Sequence, residues 1–463
     1  MEAIPFKYIK VSQVKIRKWR REKKSASQPL GKNYWRLWSA HATSNLGDGI
    51  ASIAYPWLAS AVTRSPLLIA LVAVASRLPW LVFTLPAGVI TDRFDKRKII
   101  VAMDITRGFL ALLVAITVTT QQSSLPDLNE VGKLSDLSTN WLLYLVLVVT
   151  ALLFGCAEVL RDNSAQTLLP SVVEDKQLES ANGKMWSVEF VMNSFVGPPL
   201  GSFILGIAIF LPFYIDSTTF FISAALIATL IPNMRPIESQ KKSEKINFRA
   251  EIKEGFGWLW NHELLRPMAI ILGLLNGIGA LTAAVFILFA QEVLQTSVLV
   301  FAILGTAGAI GGTLGGILGP KISAKLGSGP SLYLTLLSGP LISLIIGFTS
   351  SWQLFWILSA VTTVFAVLWN VITVSLRQSI IPTELLGRVN SVYRFFAWGS
   401  IPIGTMIGGG IVDLMELTGD RELALRTPYF ISAILGLGLF FFAAPKLTTE
   451  KIEKARAAGR KPS

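Results

Sequence analysis

The sequence predicts an all-α membrane protein: twelve transmembrane helices in two six-helix halves. Three observations carry that prediction. Apolar runs recur along most of the chain, basic residues gather in alternate connections, and a set of anchor residues in the first half returns in the second.

The chain has 463 residues, of which 52% are hydrophobic and only 15% charged, with a mean hydropathy of +0.55. Soluble domains carry roughly a quarter charged residues. Apolar stretches of about 20 residues, the length that crosses the hydrocarbon core, recur from residue 36 to residue 445. Without water the backbone satisfies itself only as helices or a closed barrel, and apolar runs without polar alternation choose helices. The expected spans are 36–62, 66–91, 98–120, 140–162, 183–210, 212–234, 266–290, 297–319, 329–349, 353–377, 389–413 and 424–445. They divide the chain into a basic arm (1–35), a first half (36–234), a linker (235–265), a second half (266–445) and a basic tail (446–463). Residues 1–35 are charged and lack the apolar core of a cleavable signal peptide.

The placement of charge sets the orientation. Of the Lys and Arg residues, eleven lie in 1–36, four in 92–98, seven in 235–266 and six after Ala444. The opposite connections are sparse: Lys133 stands among Asp127, Glu130 and Asp136, and Arg421 and Arg426 stand among acids. The positive-inside rule then puts both termini in the cytoplasm of a multi-pass plasma (inner) membrane protein, which requires an even number of spans. A net charge of +13 distributed in this way serves topology, not nucleic acid.

Internal repetition organises the helices. QTLLPSVVEDKQLESANGKMWSVEFVMNSFVGPPLG (166–201) is echoed by QSIIPTELLGRVNSVYRFFAWGSIPIGTMIGG (378–409). Gln166 and Gln378 each precede a proline by four residues, Leu178 and Leu386 each precede Asn182 and Asn390 by four, and Gly201 and Gly409 each follow that asparagine by nineteen. The offset is 212 residues at the prolines and 208 at the asparagines, so only the connection has shortened. Gly88 and Gly316 form a weaker pair.

Parallel repeats of six helices are how major facilitator transporters are built, and the motifs resemble that superfamily. Its signature after the second helix, G-x-L-a-D-r-x-G-r-k-x-x-l, is matched by Gly88, Ile90, Asp92, Arg93, Lys96, Arg97 and Ile100, with Asp95 in place of the second glycine. Its antiporter-associated signature, G-x-x-x-G-P-x-x-G, is matched by Gly197, Pro198 and Gly201, with Asn193 in place of the leading glycine. Together with SNLGDG, RLPWL and ANG, the pattern is most similar to the exporter branch of enterobactin-type siderophore exporters and macrolide efflux proteins. The resemblance implies a cytoplasmic gate in which Asp92 faces the N-terminus of the eleventh span near Arg388. A carboxylate there gains about 0.3–1 kcal/mol from the helix dipole, or about 2 when partly buried. Glycine at 88 lets that span pass close. Gly88, Asp92, Arg93, Arg97 and Arg388 are the gate candidates, although the charge of DRFDKRK also serves as a plain topology signal.

Charges inside the membrane are expensive and usually purposeful. Asp48 and Arg77 lie at similar depth on the first two spans, and an ion pair between them is expected, either structural or modulating a proton on Asp48. Asp104, Arg107, Glu158, Arg161, Asp162 and Glu189 form a further group in the first half, with Glu158 to Asp162 open to a reading as the exit of the fourth span. Arg394 is the comparable charge in the second half. That half otherwise offers apolar surface, suited to a large amphipathic solute.

Enzyme chemistry fails on inventory. His41 and His262 lie in different regions, Cys156 is alone, and GTAGAIGGTLGG lacks the Lys and Ser/Thr of a phosphate loop. No cofactor or metal is expected. The expected function is proton-coupled export of an amphipathic small molecule (a siderophore, macrolide-like drug or lipid) by a monomer, with anionic lipids attracting the arm at residues 4–24. The alternative is a sensor or assembly partner that keeps the fold without the cycle. The 121–139 connection is expected to be a mobile external loop.

Overall fold

The computed structural model describes residues 30–128, 130–134, 137–174, 177–230, 248–382 and 385–459. Residues 1–29 of the basic arm, the first part of the linker (235–247) and the last four residues lie outside them, and with them the expected lipid attraction of residues 4–24. Among the described residues the chain is helical throughout, with no strand.

Twelve spans follow in order. The first is Lys32–Val62; the second runs as Pro66–Val82 and Thr84–Arg93, broken at Phe83; the third is Lys96–Thr120 and the fourth Trp141–Val172. The fifth joins Leu178–Val191 to Gly197–Ile207 through a π-helical turn at Met192–Val196, and the sixth is Leu211–Ala228. The seventh joins Leu265–Ala283 to a short piece, Phe286–Leu288, that ends in a second π turn at Phe289–Val293. Val298–Leu326, Ser328–Phe348, Trp352–Ile380, Leu386–Glu416 and Arg421–Ala443 complete the set. Among the described residues ten of these helices are long and apolar enough to cross a membrane. The other two are the first, diluted by Ser44, Asn45 and Asp48, and the broken second.

Side-chain caps fix where many spans begin. Ser65, Asn140, Ser297, Ser351 and Asp420 each accept a backbone N–H from the first turn of their helix. Such a cap is worth about 1 kcal/mol. Asp95 caps the third span in the same way, accepting from the N–H groups of Arg97 at 2.9 Å and Lys98 at 3.3 Å. Its φ of −61° needs no glycine, so the substituted motif position is filled by a residue the turn accepts.

Several helices outrun their apolar stretches. The fourth span was expected to end at 162 and continues to Val172, which places Glu158, Arg161 and Asp162 inside the helix and not at its exit. Hydropathy marks the edge of the hydrocarbon, whereas the i→i−4 ladder continues into water wherever the side chains permit.

The repeat reappears as packing. The first span lies against the fifth, the second against the fourth and the third against the sixth; in the second half the seventh lies against the eleventh, the eighth against the tenth and the ninth against the twelfth. Between halves the second span meets the eleventh and the fifth meets the eighth, which are equivalent pairings if the halves are related by a two-fold axis. The anchors match too, since Leu178 and Leu386 each open their helix.

Two faces result. One carries both ends of the described chain, and we call it the terminal face; the other carries the connections near residues 63, 121–139, 208, 295, 350 and 418. Toward the opposite face a single apolar core runs through both halves, joining Trp57, Ile69, Val114 and Leu147 to Phe289, Phe301 and Tyr429. Toward the terminal face there are two cores, one built from residues of the first half (Tyr34, Ile100, Leu169, Ile227) and one from the second (Met268, Leu336, Trp369, Tyr393). The halves are therefore closed at the opposite face and parted at the terminal face.

Two connections depart from expectation. The described part of the 121–139 segment packs on the bundle: Val131 is fully buried in the shared core, with Leu125 and Leu128 against it. Its short turn at Val131–Lys133 lies beside the Phe289–Val293 turn of the other half. The linker contains a helix, Phe248–Asn261, that packs along the eleventh span and carries Phe256 and Trp260 stacked on Phe396.

Candidate functional site

The interior of the first half is an ion-pair cluster. Arg107, 2% exposed at the middle of the third span, donates to Asp48 Oδ1 at 2.5 Å and to Ser44 Oγ at 3.4 Å. Its guanidinium is held between the rings of Phe154 and Phe220, 4.7 and 4.1 Å from their centroids. Asp48 was expected to pair with Arg77, and here the expectation fails. Similar depth does not fix rotation about the helix axis, and Asp48 faces the third and sixth spans. Arg77 is exposed instead and lines a cavity of about 310 Å³ between halves, with Trp80, Leu81, Trp398, Ile401 and Pro402.

One turn toward the terminal face, Arg161 Nε donates to Asp104 Oδ1 at 2.9 Å, and Ser223 donates to the other oxygen of Asp104 at 2.6 Å. Asp104 is completely buried and Arg161 almost so, and burying either alone would leave an uncompensated charge. Asp162 lies 3.4 Å from Arg161 and is a third exposed. Glu189 pairs with His41 at 3.2 Å. Asp48, Asp162 and Glu189 thus present partly exposed carboxylates on one wall, with side-chain exposures of 29%, 36% and 38%. In the second half, Arg394 is exposed on the eleventh span.

The antiporter-type motif packs the fifth span onto the first. A Cβ on Gly197 would lie 2.5 Å from Gly49 Cα, and one on Gly201 would lie 2.6 Å from the Ile50 carbonyl. Pro198 is buried at the start of that helix segment. Asn193, standing where the motif has its first glycine, sits in the π turn and donates to Asn45 at 2.7 Å. Single π turns of this kind are common at functional sites.

The most connected constellation is one the sequence reading did not assemble. At the opposite face Arg64 of the first half reaches Gln291 Oε1 at 2.7 Å and makes a short ion pair with Glu292. Arg421 binds the same carboxylate at 2.6 and 3.0 Å, Glu416 at 2.6 Å and the Arg64 carbonyl at 3.0 Å. Gln291 also donates to Ser60 at 2.9 Å, and Asp413 accepts from Ser65 at 3.3 Å. These hydrogen bonds and ion pairs join the two halves directly. The signal was present in isolated charges at span ends, but each resembled ordinary loop polarity.

The terminal-face gate candidates divide. The side chains of Asp92 and Arg93, and the surroundings of Gly88, lie outside what is described. Arg97 donates to the carbonyls of Ile227, at 3.2 Å, and Ala228, thereby neutralising the C-terminal end of the sixth span. Arg388 forms an exposed ion pair at 2.5 Å with Glu254 of the linker helix. Among the described residues no group of His, Cys, Asp and Glu is arranged to hold a metal ion.

This geometry is that of a known family. The family model described as Major Facilitator Superfamily matches residues 37–405. A multidrug efflux pump, Tap, of Mycobacterium tuberculosis is 25% identical over 403 residues, covering 85% of this chain and 90% of that one. The multidrug efflux pump Tap of Mycolicibacterium fortuitum is 24% identical over 409 residues, covering 86% and 94%. Among solved structures, a bacterial homologue of the iron transporter ferroportin in an inward-facing state matches with a TM-score of 0.65 at 14% identity, covering 89% of this chain and all of that one. A bacterial homologue of the human lysosomal transporter Spinster, inward-facing and unoccupied, gives 0.64 at 12% identity and covers 94% and 99%. With a match that runs through both halves, and helices that pair as two repeats, the chain belongs to the Major Facilitator Superfamily and is a membrane transporter, not an enzyme.

Proposed function

We propose that this transporter exports amphipathic small molecules from the cytoplasm across the plasma membrane in exchange for protons. The observation that carries the reading is the pair of faces: one shared core and an ionic clasp on one side, two separate cores on the other. That arrangement is one end of an alternating-access cycle, with the substrate path open at the terminal face. The basic connections support placing that face in the cytoplasm. The multidrug efflux relatives support export as the direction of transport.

The walls of the path differ in chemistry. Asp48, Asp162 and Glu189 give the first half titratable groups, while the second half contributes Trp398, Ile401 and Pro402. An amphipathic solute fits such a cleft, because its apolar body covers the aromatic wall and its polar group meets Arg77 or the carboxylates. Sugars need several fixed polar partners, and the apolar wall lacks them. Opening the opposite face requires the clasp to break. Closing the terminal face brings the start of the eleventh span toward Asp92, where the helix dipole favours a carboxylate.

The test is accumulation of a panel of fluorescent amphiphiles in cells with and without the protein. Expression should lower accumulation, and a protonophore should abolish the difference. Unchanged accumulation across the panel, with the protein abundant in the membrane, rejects the export reading.

A further inference from the structure

We propose that Asp216 of the sixth span carries the coupling proton, sharing it with Asp48 across the single guanidinium of Arg107. The proposal rests on the proton-driven reading above and names the residue that serves it.

Asp216 is completely buried, and neither of its carboxyl oxygens has a hydrogen-bond partner among the described residues. The nearby hydroxyls are committed elsewhere: Thr219 donates to the Asp216 carbonyl at 2.7 Å, and Ser217 to the Gly108 carbonyl at 2.8 Å. Its berth exists because residue 47 is glycine, where a Cβ would lie 2.6 Å from Asp216 Oδ1. The charged and titratable groups that act on it are Asp48 and Tyr55 of the first span and Arg107 of the third. Tyr55 Oη is likewise buried without a partner, and Arg107 is engaged with Asp48.

An ionised carboxylate in that position would be buried with no donor and no counter-ion of its own, at a cost of several kcal/mol. A proton on Asp216 removes the penalty. Two carboxyl groups therefore face one guanidinium, and the set is neutral when it holds one proton. In the observed conformation Asp48 holds Arg107 and Asp216 holds the proton, sealed from both faces. When the proton passes from Asp216 to Asp48, the Asp216 O–H bond breaks, an O–H bond forms on Asp48, and Arg107 is released to pair with the ionised Asp216. Asp48 is 29% exposed at the wall of the path, which gives the proton its exit. Asp104 cannot take this part, because Arg161 and Ser223 already satisfy both of its oxygens.

Infrared difference spectroscopy of the purified full chain reads the proton directly, through the C=O stretch of a buried carboxylic acid. The wild type should show such a band at neutral pH, and Asp216→Asn should remove it. Asp48→Asn should remove it as well, because Arg107 then pairs with an ionised Asp216. A residue neutral through burial alone would keep the band in Asp48→Asn, and that result overturns the sharing. A band untouched by Asp216→Asn overturns the assignment. If Asp216→Asn does not fold, the Asp48→Asn spectrum still decides. In proteoliposomes containing a fluorescent amphiphile that the wild type exports, Asp216→Asn should exchange the compound across the membrane yet lose at least tenfold of the acceleration given by a pH gradient. Acceleration equal to wild type overturns the coupling role. If the wild type itself ignores the gradient while the bands behave as expected, the proton-driven reading fails and the shared proton stands.

Discussion

Glu292→Gln isolates the clasp. Glu292 accepts from Arg64 and twice from Arg421, and its side chain is only 12% exposed, that of Arg64 2%. Removing one partner of a buried ion pair costs about 3–5 kcal/mol, because the other charge is left behind. Glutamine keeps one acceptor oxygen, and Glu416 still holds Arg421 at 2.6 Å. About 2–3 kcal/mol is therefore the share lost from the conformation with the opposite face closed. At tenfold per 1.4 kcal/mol, the equilibrium moves about 30- to 150-fold toward opening. A minor open state of about 1% would rise to about a quarter or more. Spin labels at Thr120→Cys and Leu417→Cys, in a background lacking Cys156, report the separation at that face. Both positions are exposed, and the chain has no other cysteine. Pulsed electron–electron distance measurements should show a longer population in Glu292→Gln that is minor in the parent. A distribution identical to the parent would falsify the clasp as a conformational lock.

Three further outcomes follow from the same geometry. Asp92→Asn should reach the membrane at normal abundance and lose most transport, and normal export by that variant removes Asp92 from the gate. Gly201→Leu places a side chain 2.6 Å from the Ile50 carbonyl, whereas Gly206 has open space around its Cβ position. Overpacking costs about 1–3 kcal/mol or more, so Gly201→Leu should lower the thermal midpoint of the detergent-solubilised protein and Gly206→Leu should not. His262, between the linker helix and the seventh span, accepts at Nδ1 from the N–H groups of Leu264 and Leu265, each at 3.2 Å. Burial holds its pKa below the ordinary 6.5, so the unfolded chain takes up the proton first. The stability it contributes is complete above about pH 6.5 and is lost as pH falls through the folded value. Thermal scans at falling pH should show the wild type converging on His262→Asn, and parallel curves would contradict this.

Hydropathy and charge placement made the twelve spans, their two halves and the packing glycines legible, because each depends on composition along the chain. Contacts across the bundle depend on rotation about each helix axis, which depth cannot supply. That is why Asp48 met Arg107 and not Arg77. Asp216 fell inside the expected sixth span, 212–234, but was not grouped with the intramembrane charges, because it stands near the end of that span, in the first turns of the helix. Arg64 and Glu292 were separately visible, but 228 residues apart nothing in the sequence joins them. The 121–139 connection looked mobile because its polar residues outnumber Leu125, Leu128 and Val131, the three that bury it.

The closed and open faces are held by unequal forces, and the inequality explains which conformation is observed. At the opposite face the clasp sets Arg64 and Arg421 around one carboxylate over a core that both halves share. At the terminal face the proposed latch is one carboxylate against a helix N-terminus, worth about 2 kcal/mol at most. The cores behind it belong to separate halves and gain nothing from each other. An empty transporter built this way rests with its terminal face parted. Turning it over requires binding energy from substrate, or a change of charge among the acids of the first half, where Asp104 and Asp216 are fully buried. The asymmetry of the repeats thus has a physical consequence: pseudo-symmetric helices supply a rocking geometry without preference, and the unsymmetrical charges decide the order in which its faces open.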